Sequence, residues 1–290
     1  MTSQVMDASA KDSQSRSMSP LPFHTPHPPT ATDAGAHLRR LRRQAGLSQL
    51  DLALLAGVSQ RHLSCVETGR AKASTSTLHA LLSALQVPLD QCNEVFLAAG
   101  YAPRYMASAA DAPAMKMVHD AVEHILQANN PAPAIVIASN WDITAANASA
   151  GLLFAMAGVA TSSTSGLNLL DTLLRPGGLG DHLVNADEIR AIAWQRAARE
   201  AVSNPDLVKL LQGLPMPPAL AADTPMSPVV LTRVRTAEGE LRFLSTFTTF
   251  GMPQDITVAS LRIEHLVPAD IETWQAMTAA YQRVIRNAEI

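Results

Sequence analysis

The chain has 290 residues and a net charge of −3, long enough for two domains with proper cores. The charge is unevenly spread: residues 33–105 hold eight Lys/Arg against five Asp/Glu, whereas residues 106–290 hold twelve against eighteen. A basic module joined to an acidic one fits contact with a polyanion at one end only. The two cysteines, Cys65 and Cys92, exclude a disulfide framework and point to a reducing, cytoplasmic setting.

Residues 1–32, with six Ser, five Pro and two His, read as a disordered leader. They lack the apolar run of a secretory signal. A first helix follows, carrying Arg39, Arg40, Arg42 and Arg43, with Leu38, Leu41 and Ala45 expected to face inward. Ser48 suits an N-cap, and Asp51 three residues on completes a weak capping box. A helix is predicted from Gln49 to about Ala56; Gly57 supplies the positive φ of a sharp turn, and Val58 plugs that turn. Ser59 then caps a second helix, Gln60 to Thr68, which Gly69 stops. Leu52, Ala53, Ala56, Leu63 and Val66 recur at helical spacing as one buried set.

What lies outside that set carries the chemistry. Gln60, Arg61, Ser64 and Cys65 project from the second helix, with Ser59 at its mouth. Gln and Arg are the side chains that bond bidentately to adenine and guanine edges in the major groove. Gln49, Thr68, Arg70 and Lys72 flank them, where amides, hydroxyls and cations meet phosphate. Leu50, Leu54 and Leu55 lie on the outer face of the first motif helix. Either Leu50 and Leu54 cover a partner surface, or they lie beneath the chain's own C-terminal half.

Further helices are expected from Ser74, burying Leu78, Leu81, Leu82 and Leu85, and from Pro88 to Ala99. Residues 106–114 fall in an Ala/Pro-rich hinge or linker. Beyond it, Met115 to Ala128 is a helical pattern with Met117, Ala121, His124 and Ile125 on one side. Strands are predicted at residues 134–138 and 141–145, then a helix capped by Asn147. Helical stretches follow at about 168–174, 187–203 and 206–211. Three more strands, at 229–235, 241–250 and about 258–266, include a hairpin at Glu238-Gly239. Asp270 caps a last helix. The uncharged run from Ile143 to Leu170 contains only 13 mostly apolar residues, Ala148 to Ala160, short of the ~20 that a bilayer needs.

Two resemblances give these elements a class. Leu38-Arg39-Arg40-Leu41-Arg42, Gly46-Leu47-Ser48-Gln49, Leu52-Ala53, Ala56-Gly57-Val58-Ser59, Leu63-Ser64 and Glu67 with Gly69-Arg70 resemble the helix-turn-helix domain of the XRE family, the phage-repressor and Cro type. That resemblance implies that Gln60, Arg61 and Cys65 face base edges, that Gln49 and Thr68 hold phosphates, and that Glu67 pairs with Arg42. Cys65 departs from the long polar residue usual there, and the outer leucines depart from a face that is usually charged. The second half, through Pro133-Ala134, Asn140-Trp141-Asp142-Ile143, Ala146-Asn147, Phe250-Gly251, Asp255-Ile256-Thr257 and Pro268-Ala269-Asp270, resembles the MmyB-like ligand-binding domain, a PAS-like module. It implies a pocket for a small lipophilic molecule such as a fatty acid.

The expected fold class is therefore α+β: a five-helix all-α domain over residues 33–105, then a PAS-like domain with an antiparallel sheet over residues 115–290. Apolar residues such as Val136, Phe154, Trp194 and Phe247 suit an acyl chain, or equally an ordinary interior, and Trp141 joins them. A ligand carboxylate has His124, Arg190 or the amide of Asn147 to choose from, although Asn147 also suits a helix cap. No nucleophile elbow or Cys/His cluster stands out; neither an enzyme nor a metal or cofactor site is expected. The expected partner is double-stranded DNA with a near-palindromic operator, read by a homodimer, with a possible effector and no membrane. The alternative keeps the DNA reader and makes the second half a docking and dimerisation module with no ligand.

Overall fold

The computed structural model describes residues 31–159, 163–202, 204–218 and 228–288; most of the leader at 1–32 lies outside them. Five helices open the chain: α1 (Ala31–Gln44), α2 (Gln49–Ala56), α3 (Gln60–Glu67), α4 (Thr75–Ala84) and α5 (Leu89–Ala98). Their apolar stripes close on one cluster built around Leu38, Leu52, Leu63, Leu78, Leu81 and Phe96, all essentially without exposure. Each such side chain contributes about 1.5–3 kcal/mol by leaving water. Arg42, not Ala45, takes the inward place at the end of α1; the helix stops at Gln44, and Ala45 lies exposed beyond its last turn. Cys92 belongs to this core. Its thiol donates to the Val87 carbonyl at 3.4 Å, and burial, helped by the Asp90 charge, pushes it up to about 11.

The second region begins with a 3₁₀ turn at Pro113–Met115 and α6 (Lys116–Asn129). Strands β1 (Ala134–Ile137), β2 (Ile143–Ala146), β3 (Leu231–Thr236), β4 (Gly239–Thr248) and β5 (Arg262–Pro268) form one antiparallel sheet in the order β2-β1-β5-β4-β3. The first pair and the last strand meet at the centre, with Ile135 opposite Glu264. Five helices follow the rest of the chain: α7 (Ala148–Ala157), α8 (Leu169–Leu174), α9 (Ala186–Ala201), α10 (Pro205–Gln212) and α12 (Ile271–Ala288), with the short α11 (Ile256–Ser260) between β4 and β5. One face of the sheet carries the main core, where Ile137, Ile143, Leu153, Phe154, Leu170 and Phe243 pack with helical residues. The other carries a smaller cluster of Val122, Leu126, Val136, Leu261 and Ile263.

Three local expectations are corrected. Trp141 is not in a strand: it sits at φ 68° in the turn before β2. Residues 256–260 coil into α11 because the Asp255 carboxylate accepts from the Thr257 and Val258 amides at 2.8 and 3.3 Å. On α6 the inward face runs through Val118, Val122, Ile125 and Leu126, leaving Met117 and His124 exposed.

The two regions touch through α11. Ile256 packs against the helical core, its amide donates to the Met106 carbonyl at 2.8 Å, and Asp255 accepts from the Ser108 amide at 3.0 Å. The Thr257 hydroxyl returns a bond to the Ser108 carbonyl at 2.8 Å. The stretch expected as a linker is thus pinned at its first residues.

Candidate functional site

The α2–α3 hairpin is held by local chemistry at every joint. Ser48 Oγ accepts from the Asp51 amide at 3.1 Å while Asp51 accepts from the Ser48 amide at 3.0 Å, a complete capping box. Gly57 turns the chain at φ 67°, a conformation that costs a side-chain-bearing residue more. Ser59 Oγ then accepts from the His62 amide at 3.1 Å and starts α3. Leu63, Val66 and Glu67 face inward, so the remaining positions of a two-turn helix face out.

Glu67 fixes α3 to α1. Its carboxylate receives Arg42 Nε at 2.7 Å and Nη2 at 2.8 Å, a two-pronged pairing with no exposure of the Glu67 side chain. Burial penalises the ionised carboxyl, but the hydrogen bonds and charge of Arg42, with help from Gln49, prevail and hold it below its ordinary value. Gln49 spends its amide on this carboxylate at 2.9 Å. The same crossing explains Gly35: a Cβ there would lie 2.4 Å from the Val66 carbonyl oxygen. Gly35→Ala is therefore expected to push α3 off α1 at a cost of about 1–3 kcal/mol, the range for overpacking. Thermal unfolding checks this, and an unchanged melting point would mean that α1 and α3 sit farther apart.

On the outer side Gln60, Arg61 and Arg70 are exposed, and Ser64 and Cys65 are half-buried. Thr68 is exposed, but its hydroxyl bonds back to the Ser64 carbonyl at 2.7 Å. Lys72 stands over the Tyr101 ring at 4.5 Å. A positive feature that the periodicity left unassigned lies beside the end of α3: Arg39, Arg40 and Arg43 of α1 border a groove of about 570 Å³ that reaches Thr68. Four-residue spacing between Arg39 and Arg43 is its sequence signal. Leu50, Leu54 and Leu55 are exposed, so the C-terminal half does not cover them.

In the second region the eight expected ligand residues do not share one site. Val136 belongs to the small cluster on one face of the sheet; Phe154 and Trp194 belong to the core on the other. His124 is exposed on α6. Asn147 is buried and its amide is fully used: Oδ1 accepts from Ala134 and Ala150 amides, and Nδ2 donates to Leu126 and Ala132 carbonyls. Arg190 is spent on the Leu173 carbonyl at 2.8 Å and Asp181 at 2.7 Å. Trp141 and Phe247 do meet a common group of charges. Trp141 Nε1 donates to Glu200 at 2.8 Å, Arg262 donates to the same carboxylate at 2.6 Å, and Arg196 covers the Phe247 ring at 4.0 Å. Burial works against the Glu200 charge, but Arg262, Trp141 and Arg196 outweigh it and hold the carboxyl low. Nearby Glu264, bonded by the Ser245 hydroxyl, is pushed up by burial. Among the described residues no cluster could hold a metal ion, and no helix is long and apolar enough to cross a membrane.

Residues 33–95 match the helix-turn-helix domain family, and residues 118–280 match the MmyB-like transcription regulator ligand binding domain. Together they make the chain a DNA-binding transcription regulator with a domain of ligand-binding type. The second match spans more than half of the 290 residues, and the chain belongs to the MmyB-like transcription regulators. An HTH-type transcriptional regulator, y4dJ of Sinorhizobium fredii, is 42% identical over 53 residues, covering 18% of this chain and 69% of that one. Among solved structures, the restriction-modification controller protein C.AhdI of Aeromonas hydrophila is 32% identical, covering 21% of this chain and 94% of its own (TM-score 0.21). The clp gene regulator ClgR of Corynebacterium glutamicum is 30% identical over 24% and 87% (TM-score 0.22).

Proposed function

We propose that residues 33–105 form a sequence-reading DNA domain and residues 115–290 a sensor of a small lipophilic ligand, a fatty acid being the leading chemistry, in a cytoplasmic homodimer. Gln60, Arg61, Ser64 and Cys65 meet base edges; Ser59, Arg70, Gln49 through its second amide hydrogen and Thr68 once its hydroxyl swings off the Ser64 carbonyl sit at the phosphates, with Arg39, Arg40 and Arg43 adding charge beside them. Two such helices on a near-palindromic operator lie about 34 Å apart, one DNA turn. The observation that carries the reading is a capped two-turn helix, seated through Glu67 on α1, that leaves Gln60 and Arg61 facing outward.

Arg61→Ala is expected to cost about 1–3 kcal/mol of discrimination between operator and scrambled sequence. Competition binding at fixed salt measures it. An unchanged ratio removes Arg61 from base reading, whereas equal weakening on all sequences makes it a phosphate contact.

A second reading has its own support. The core between α7 and the sheet is filled by Leu153, Phe154, Leu170 and Phe243, none more than 4% exposed, which suits a docking and dimerisation module with a dry interior. Native mass spectrometry of the purified chain separates the two, since a stoichiometric small molecule supports sensing.

A further inference from the structure

The last helix is apolar on two sides, and the body of the protein uses one of them. Thr273, Met277 and Ala280 of α12 are buried, Met277 within the main core. Roughly a third of a turn round the helix, at ~100° per residue, run Ile271, Trp274, Thr278, Tyr281 and Ile285. Ile271, Trp274 and Ile285 are 60%, 45% and 43% exposed, and Thr278 and Tyr281 are half-buried. The steps along this stripe are three, four, three and four residues. That alternation is the seam of paired helices, because it keeps one stripe facing a partner along the whole length. A face that met only solvent would be polar.

Beyond Tyr281 the helix leaves the body. Gln282 through Asn287 are all exposed, yet Val284 and Ile285 sit among them. The projecting end is therefore apolar without cover from the described residues. Its charges select the occupant. Glu272 lies in the first turn and Arg286 in the last, both on the solvent-side flank of the stripe. Two copies of α12 running antiparallel set Glu272 of each beside Arg286 of the other and oppose their dipoles; parallel copies set like against like. The antiparallel register also closes on itself. Trp274 of one copy meets Ile285 of the other and Thr278 meets Tyr281, about a two-fold axis near Ala279, as a self-complementary patch requires.

We propose that two copies of the chain pair through this stripe, as an antiparallel α12–α12 seam. The proposal rests on the homodimer reading above and gives that dimer a surface. The helix has 18 residues and is ~27 Å long. Such a seam supplies on the order of half the ~800 Å² per partner of a standard interface. The dimer is therefore reversible and concentration-dependent in free solution, and an operator that holds both copies strengthens it.

Sedimentation of the full chain without DNA, from ~1 to ~100 µM, is the test. Wild type is expected to pass from monomer toward dimer across this range. Trp274→Glu and Ile285→Glu should each weaken pairing about 30-fold or more, because each buries unpaired carboxylates at the seam. Leu54→Glu, on the exposed face of α2, should change nothing. Trp274→Glu/Ile285→Lys sets opposite charges across each antiparallel layer and should pair at least about tenfold more tightly than either glutamate variant. A double variant weaker than both singles overturns the antiparallel seam. If wild type stays monomeric throughout, the surface falls together with the homodimer reading. If wild type dimerises and both glutamate variants dimerise equally well, or Leu54→Glu is the one that dissociates it, the homodimer reading stands and this surface is overturned. Ile285 lies beyond the packed part of α12, so Ile285→Glu decides even where Trp274→Glu fails to fold.

Discussion

Arg42→Met is expected to destabilise the helical region by about 3–5 kcal/mol, because it strands the Glu67 carboxylate in a place with no water to solvate it. Gln49 offers one donor at 2.9 Å and no charge, too little to replace a guanidinium that supplies two donors and a cation. The double variant Arg42→Met/Glu67→Leu should recover most of that loss, since two apolar groups of similar volume need no partners. The pH dependence has a definite sign. The Glu67 carboxyl is held below its ordinary 4.5 in the folded chain. Its stabilisation is therefore full above the unfolded value and is lost as pH falls through the folded one. Wild type should lose stability in acid on this account, and the double variant should not. Calorimetric unfolding of the full chain between neutral pH and pH ~3 measures both. A single-variant loss below about 1 kcal/mol, the range of exposed pairs, would mean that water reaches the pair.

Asn147→Ala should cost the α+β region about 3 kcal/mol or more, since it leaves buried amides and carbonyls without partners at about 1–3 kcal/mol each. The amide of Asn147 ties the end of α6, the loop into β1, the first residue of β1 and the start of α7. Asn147→Asp separates this role from capping. Aspartate caps as well as asparagine, but it would set an oxygen against the Leu126 and Ala132 carbonyls where Nδ2 now donates. The aspartate variant should therefore unfold at a clearly lower temperature than wild type. A neutral Asn147→Asp would reduce the residue to an ordinary cap.

The hairpin was legible because its signals are local. Ser48, Asp51, Gly57 and Ser59 each act within four residues, and the Leu52/Leu63/Val66 spacing needs only a helix to be read. The α+β region was legible in its strands β1 and β4, and in Asn147 and Asp270 as starts of helices. It was less so where distant residues decide. Nothing near Trp141 announces a positive φ; the residue is buried there with its indole on Glu200, some sixty positions away, and Arg262 stacked at 5.1 Å. The alternation Arg262-Ile263-Glu264 marks a polar side of a strand, but only α9, bringing Arg196 and Glu200, makes that side an interior. On α6 both Met117/Ala121 and Val118/Val122 carry helical spacing, and the sheet selects the branched pair. Arg190 and His124 were reasonable acid binders by residue type alone; the carbonyl of Leu173 and open solvent claim them instead.

The clasp made by Met106 and Ser108 with Asp255, Ile256 and Thr257 bears on how such regulators can be recombined. Part of the oil that fills the DNA-reading half is donated by Ile256, at the start of α11 in the second region. A fragment cut after Tyr105 forfeits that plug, and a chimera grafting this reader onto a foreign sensor inherits a hole unless the five residues travel with it as a matched set.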